Sequence, residues 1–268
     1  MIDRCSDERR KSLSELATES GAQMLVTDGV HFGVEGTRLA RVPAAVREDA
    51  LFLGRNGGAP LFLVRDGGGS APEMLDFRAA ARVLEPDDVA ILSYAQGMLN
   101  WAARTRFCSG CGEELESRNA GYSRVCPGCA AEFFPRLDPA VMILVTNRDR
   151  ILLAQHQGRA TAFWSTLAGF VEPGETLEQT VVRELREETG VAADVTRVRY
   201  FGSQPWPLPS SLMIGFQVDV ENDALAIDET ELIEARWFTR EELDGLNTSS
   251  TISLSGQMIQ AWRNALPE

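Results

Sequence analysis

The sequence predicts an α/β protein in three parts: a mixed α/β region, a four-cysteine ribbon and a C-terminal helix–sheet–helix layer. Three observations carry this. Short apolar runs broken by glycine-containing turns fill most of the first hundred residues. Two Cys-x2-Cys pairs follow, Cys108 with Cys111 and Cys126 with Cys129. Beyond about residue 139, strand-like apolar runs mix with two helical stretches.

The 268-residue chain is 44% hydrophobic and 24% charged, the balance of a globular protein with buried cores and room for two domains or one large one. Its net charge of −13 disfavours wholesale attraction to nucleic acid or anionic membrane, though local basic clusters remain compatible with it. No apolar run approaches the ~18 residues of a membrane span. The N-terminal MIDRCSDERRKSLSE lacks the apolar core of a signal peptide, so a cytoplasmic location is the expectation. Internal repeats and low-complexity tracts are absent from the sequence.

In chain order, MLVTDGVHFGVEGTRLARV (24–42) reads as hairpins punctuated by Asp28-Gly29 and Glu35-Gly36. LFLGRNGGAPLFLVRDGGG repeats the design around Asn56-Gly57-Gly58. EPDDVAILSYAQGMLNWAART is a helix with Asp87 or Asp88 near its start. This first region carries no catalytic pattern. It binds a partner, extends a substrate site or scaffolds. After the cysteines, AVMILV, RILLAQH, WSTLAGFV, VTRVRYFG, SLMIGFQVDV and EARWFT read as strands, and SLSGQMIQAWRNAL closes the chain as an amphipathic helix. The expected parts are 1–103, 104–134 and 139–268.

Fourteen residues separate the two cysteine pairs. Gly110 and Gly112 on one side, and Pro127-Gly128 on the other, favour the tight turns that let four thiolates converge on one tetrahedral ion. Two disulfides are the alternative, but nothing suggests an oxidising compartment. The spacing matches a zinc ribbon, and four protein ligands make that zinc structural. Cys5 reads as a bystander thiol.

Between two apolar runs, GFVEPGETLEQTVVRELREETGV (169–191) gathers Glu172, Glu175, Glu178, Glu184, Glu187 and Glu188. Thr176 and Gln179 form a capping box. On the helix that follows, Glu184, Glu187 and Glu188 share a face, while Val181, Val182 and Leu185 lie further round and pack on a sheet. A solvated acidic face pinned by Arg183 and Arg186 is the plain reading of those charges alone.

The spacing of the whole segment says more. Gly169, five residues, Glu175, seven residues, Arg183-Glu184-Leu185, one residue, Glu187-Glu188, one residue, Gly190-Val191 fills every fixed position of the Nudix box. The chain therefore resembles the Nudix hydrolases, and the resemblance implies a C-terminal Nudix α/β/α sandwich in which the carboxylates hold hard divalent cations such as Mg²⁺ or Mn²⁺ on a pyrophosphate.

Twelve residues past the box stands SQPWPLPSS, with Ser203, Gln204, Pro205, Trp206, Pro207, Leu208, Pro209, Ser210 and Ser211. It reads as part of a rigid loop over 203–213 with an aromatic face; an ordinary Pro-rich turn is the alternative. The NADH pyrophosphatase subfamily of Nudix hydrolases has Ser-Gln-Pro-Trp-Pro-Phe-Pro-x-Ser there, and also a zinc ribbon and an N-terminal α/β region before the Nudix domain. The resemblance is strong from Cys108 to Phe238 and loose over the first hundred residues.

That resemblance implies hydrolysis of NADH or NAD⁺ to nicotinamide mononucleotide and AMP, and in some family members removal of NAD caps from RNA. It implies Glu184, Glu187, Glu188, Glu231 and the carbonyl of Ala168 as metal ligands, with Glu188 also the general base. It implies substrate contact by Gln204 through Ser211 and by Ser255. Phe134 and Phe170 match aromatic positions that stack on nicotinamide. A homodimer is implied, with Phe134 reaching the neighbouring site.

Two departures stand out. Leu208 replaces the family's phenylalanine, and Gly256-Gln257 after Ser255 replaces paired arginines, removing either phosphate contacts or an ion pair. A broader dinucleotide or ADP-ribose diphosphatase is the second enzyme reading. A zinc-ribbon regulatory module with a dead Nudix domain is a third, against which the complete carboxylate set argues.

Overall fold

The computed structural model describes residues 2–4, 6–45, 49–65, 71–158 and 163–265; Cys5 lies outside them. The chain divides into two compact units, Met1–Arg136 with Pro207–Ser210, and Leu137–Trp206 with Ser211–Glu268.

The first unit opens with helix α1 (Leu13–Thr18) and strands β1 (Gln23–Leu25), β2 (Phe32–Glu35), β3 (Arg38–Leu39) and β4 (Arg41–Pro43). Strands β5 (Leu51–Asn56), β6 (Ala59–Leu63) and β7 (Glu73–Leu75) precede helices α2 (Phe77–Val83) and α3 (Pro86–Arg104). Three short strands end it: β8 (Glu116–Arg118), β9 (Ser123–Val125) and β10 (Glu132–Phe133). The sheets run β4-β1-β6-β5, β3-β2-β7 and β10-β9-β8. Gly57 and Gly58, at φ of 59° and 84°, close the β5–β6 hairpin between Asn56 and Ala59, the conformation that matches strand twist.

Helix α3 begins with Pro86 in its first turn, where a missing N–H leaves no bond unmade. It buries Ile91, Leu92, Ala95, Met98, Leu99 and Trp101. The buried carboxylate of Asp88 accepts from Arg41 at 2.6 Å, from the Leu39 N–H at 2.7 Å and from Arg38 at 3.0 Å. Such pairing is what makes a buried charge tolerable, and it fixes the start of α3.

The second unit comprises β11 (Asp138–Asn147), β12 (Arg150–His156), β13 (Leu167–Phe170), α4 (Leu177–Thr189), β14 (Val198–Trp206), β15 (Ser211–Asp219), β16 (Leu232–Phe238) and α5 (Leu254–Asn264). Its sheet has the order β14-β15-β11-β12-β16, with β13 also paired to β11. Strand β11 is the hub. Strand β15 runs parallel to it from Asp138↔Ser211 to Thr146↔Asp219. Residues 140–143 of β11 pair with β13, and residues 145–147 with β12.

Strand alternation assigns the faces. Val141, Ile143 and Val145 share a core with Val181 and Leu185 of α4. Leu144 joins Leu254, Met258, Ile259 and Trp262 of α5. The sheet thus lies between α4 and α5, the helix–sheet–helix layer that the sequence predicts.

Two elements differ from expectation. Strand β13 is shorter than WSTLAGFV, because Trp164 and Ser165 make only isolated bridges, to Thr248 and Ala154. The expected 203–213 loop is a hairpin: β14 continues to Trp206, pairing Ser203↔Ile214 through Trp206↔Ser211. Strand β14 lies at the sheet edge, where Pro205 can sit without breaking a central ladder. Only Pro207–Ser210 remains as the turn.

Candidate active site and metal centre

The cysteines sit on two matching knuckles. The N–H groups of Cys108 and Cys126 donate to Glu113 O at 2.8 Å and Ala131 O at 2.9 Å, and their carbonyls accept from Gly112 and Ala130, both at 2.9 Å. Gly112 and Ala130 hold φ of 82° and 60°, the left-handed conformation that turns each knuckle. The four Sγ atoms lie within 4.8 Å of one another, with Cys108–Cys129 at 3.6 Å and Cys111–Cys126 at 3.4 Å. A disulfide has ~2.05 Å between sulfurs, whereas tetrahedral zinc with ~2.3 Å bonds spaces them by ~3.8 Å. The quartet is spaced for zinc.

The N–H groups of Gly110 and Cys111 lower the Cys108 thiol to about 6. Cys111, although helped by the Glu113 N–H, is pushed up to about 12 by hydrogen bonding with the Cys126 and Cys108 thiols. Thiols crowded this closely share protons, and a dication replaces those protons.

Helix α4 is fixed at both ends. Thr176 Oγ1 accepts from the Gln179 N–H at 3.2 Å, and Gln179 Oε1 accepts from the Thr176 N–H at 2.8 Å, completing the expected capping box. At the other end Gly190 turns at φ 72° and donates to Arg186 O at 2.9 Å. The acidic residues between do not share one solvated face. Glu184 and Glu188 are 8% and 2% exposed, while the Glu187 side chain is 60% exposed. Val181 and Leu185 pack on the sheet as expected, but Val182 turns outward into a groove of about 810 Å³ with Arg186, Glu187 and Val195. Neither Glu184 nor Glu188 lines that groove.

Glu184 packs on backbone. An ideal Cβ at Gly169 would stand 1.8 Å from Glu184 Cδ and 2.0 Å from its Oε1. Gly169 lies in β13 opposite Val141 and beside Ala168, so the first glycine of the box is there to leave room for a carboxylate.

Arg183 organises the other carboxylates. Its Nε and one terminal nitrogen donate to Glu175 at 2.6 and 3.0 Å. The other terminal nitrogen donates to Glu184 at 2.8 Å and Glu187 at 2.9 Å. A further bond reaches Phe170 O at 2.9 Å. The guanidinium holds Glu175 down to about 2. Burial instead raises Glu184, with Arg183 opposing and the charges of Glu187 and Glu231 adding to the rise. The segment before the exposed Glu231 is tied to the end of α4, since Asp228 N–H donates to Glu188 O at 3.0 Å and Ala226 N–H to Thr189 O at 2.8 Å. Among the described residues only the cysteines bring three or more ligand atoms of His, Cys, Asp or Glu within 4.8 Å. Glu184 and Glu187 are gathered on Arg183 rather than on each other.

The remaining expected site residues are placed as follows. Phe134 and Phe170 are 47% and 59% exposed, leaving ring surface open. Gln204 is occupied at both ends of its amide, donating to Ile252 O and accepting from Leu254 N–H, each at 2.7 Å. The buried Ser255 accepts from Thr166 N–H at 3.0 Å. Both tie the start of α5 to the sheet. A Cβ at Gly256 would stand 2.2 Å from Ser250 O, so this backbone has no room for the family's arginine. Pro207 and Ser211 are buried, Trp206, Leu208 and Ser210 half-buried, and Pro205 and Pro209 exposed.

Residues 136–255 match the family model described as NUDIX domain. Residues 103–134 match the NADH pyrophosphatase zinc ribbon domain. Residues 16–101 match the NADH pyrophosphatase-like rudimentary NUDIX domain. A protein of Stutzerimonas stutzeri named NAD-capped RNA hydrolase NudC is 36% identical over 235 residues, spanning 86% of this chain and 83% of its own. One of the same name from Mycobacterium bovis (strain ATCC BAA-935 / AF2122/97) is 38% identical over 237 residues, 85% and 74% of the two chains. A NUDIX hydrolase crystal structure from Nitrosomonas europaea shares the fold at TM-score 0.50 and 21% identity, covering 59% of this chain and 90% of that one.

Elemental analysis of protein purified without chelators is expected to find one zinc per chain. Cys126→Ser should lose it and lower the thermal midpoint, because the binding energy of such sites is folding energy. Full zinc retention by the variant would contradict the assignment.

Proposed function

This chain belongs to the Nudix hydrolases of the NADH pyrophosphatase type, and we propose that it hydrolyses the pyrophosphate bond of NADH and NAD⁺ to nicotinamide mononucleotide and AMP. The observation that carries this reading is the burial of Glu184 and Glu188, one helical turn apart, with Glu184 against the bare backbone of Gly169. Arg183 offsets part of the cost of burying Glu184, and a bound cation would offset more of the cost of two carboxylates held this deep. Oxygen-only donors suit hard divalent ions, Mg²⁺ or Mn²⁺.

Glu184 and Glu188 would hold the ions, with Glu187, Glu231 and the carbonyl of Ala168 completing the oxygen set. Bound there, the ions neutralise the pyrophosphate and lower the pKa of the attacking water. Glu188 takes the proton from that water as the new P–O bond forms and the bridging P–O bond breaks. Arg183 keeps Glu184 and Glu187 in place. The open faces of Phe170 and Phe134 suit stacking on nicotinamide, and the Trp206 hairpin contributes further contacts.

The same bond lies at the 5′ end of NAD-capped RNA, and relatives carrying that substrate in their names support it as a second substrate. With a net charge of −13, recognition concentrates on the cap rather than on the RNA body. A homodimer in which Phe134 reaches the neighbouring site belongs to the same reading. So does a cytoplasmic location, which suits four cysteine thiols unpaired by disulfides. Among the described residues no helix is long and apolar enough to cross a membrane.

Turnover of NADH should require added divalent ions. Glu188→Gln keeps size and removes charge, so the folded variant should lose ~10²-fold or more in turnover. Near-normal turnover would remove Glu188 from the machinery.

Gly169→Ala separates the contact from its surroundings. The new methyl collides with the end of a flexible side chain, so the fold should persist while the Glu184 carboxylate is displaced. A misplacement of ~1 Å costs up to ~10²-fold in rate, and a loss of that order is expected. Wild-type rates in this variant would show that Glu184 need not rest on position 169.

A further inference from the structure

The turn between β14 and β15 has few donors of its own. Pro205, Pro207 and Pro209 lack N–H groups, so the carbonyls of this tip look outside it for partners. Asn100 of α3 supplies them. Its Nδ2 donates to Pro207 O at 2.7 Å and to Pro209 O at 2.9 Å. These two carbonyls bracket Leu208, the residue standing where the family has phenylalanine.

The direction of the Asn100 amide is itself set. Its Oδ1 accepts from Gln96 Nε2 at 3.0 Å, one helical turn earlier, and Gln96 is buried. With the oxygen committed inside the helix, both N–H bonds of the amide are left for the turn. Gly97 lies on the same face, and a Cβ there would be 3.8 Å from Pro207 Cβ, an ordinary contact. The turn rests on α3, and Pro207–Ser210 belongs to the compact unit that contains it.

We propose that Asn100, oriented by Gln96, is a positioning residue for dinucleotide binding. It clamps the carbonyls on both sides of Leu208 and so fixes how the turn presents Leu208. This rests on the reading of that hairpin as a substrate contact. No proton or bond of the substrate passes through Asn100, so its effect belongs to binding rather than to turnover.

The test uses the full-length, zinc-loaded protein with NADH. Asn100→Asp keeps the shape but sets a carboxylate against two carbonyls, and Asn100→Ser removes the donors more mildly should the first variant not fold. KM for NADH is expected to rise ~10-fold or more for Asp and less for Ser, with kcat within ~3-fold and the thermal midpoint nearly unchanged. Gln96→Leu should shift KM in the same direction. Trp206→Ala is the control for the hairpin itself. If Trp206→Ala raises KM while neither Asn100 variant does, the hairpin reading stands and the role of Asn100 is overturned. If none of the variants moves KM, the hairpin reading fails, and the proposal with it. A fall in kcat and thermal midpoint with KM unchanged would make Asn100 structural only, against the proposal.

Discussion

The carboxylate of Glu184 rests on the bare Cα of Gly169, and much of the second unit serves to keep it there. Any side chain at position 169 would occupy the space of the carboxylate. Strand β13 is held in register by β11, opposite Val141 and Met142, and α4 is pressed on the same sheet through Val181 and Leu185. A cap at each end stops the helix from sliding or fraying. The cost is an acid buried among acids. Arg183 offsets it by donating to Glu175, Glu184 and Glu187 together, while the repulsion from Glu187 and Glu231 persists. The same repulsion that would destabilise an ordinary core suits the proposed cation site.

The zinc ribbon and the proposed cation site solve opposite problems. At the ribbon, short strands with little core of their own are closed by four cysteines at tetrahedral spacing, so the ion replaces packing energy. At α4 the helix is capped at both ends and packed on the sheet through Val181 and Leu185, so its carboxylates are presented by packing. Soft thiolates suit zinc, whereas hard carboxylates suit ions that bind phosphate.

What the sequence made legible was local. The cysteine knuckles, the Thr176–Gln179 capping box and the Asn56-Gly57-Gly58 hairpin each lie within a few residues, and propensity alone specifies them. The placement of Glu184 was not legible, since its partner Gly169 lies in another element and a glycine opening a motif reads as a turn. The face shared by Glu184, Glu187 and Glu188 straddles the edge of the buried side of α4, so two of them are buried and the third is exposed. The Pro-rich segment read as a loop because prolines break strands, except at a sheet edge such as β14. Asn100 acts on carbonyls 107 and 109 residues away; its one local hint was Gly97, a helix-interior glycine of the kind that marks close approach. Over the first region the resemblance stayed loose, since no box of glutamates marks it.

Glu184 and Glu188 are expected to form a divalent-cation site built by packing, and titrating Mn²⁺ into the zinc-loaded protein while following the free-ion signal by electron paramagnetic resonance checks it. The wild-type chain should remove Mn²⁺ from solution. The Glu184→Gln/Glu188→Gln variant should leave it free while keeping its zinc and its thermal midpoint. Equal Mn²⁺ uptake by the two proteins would contradict the account.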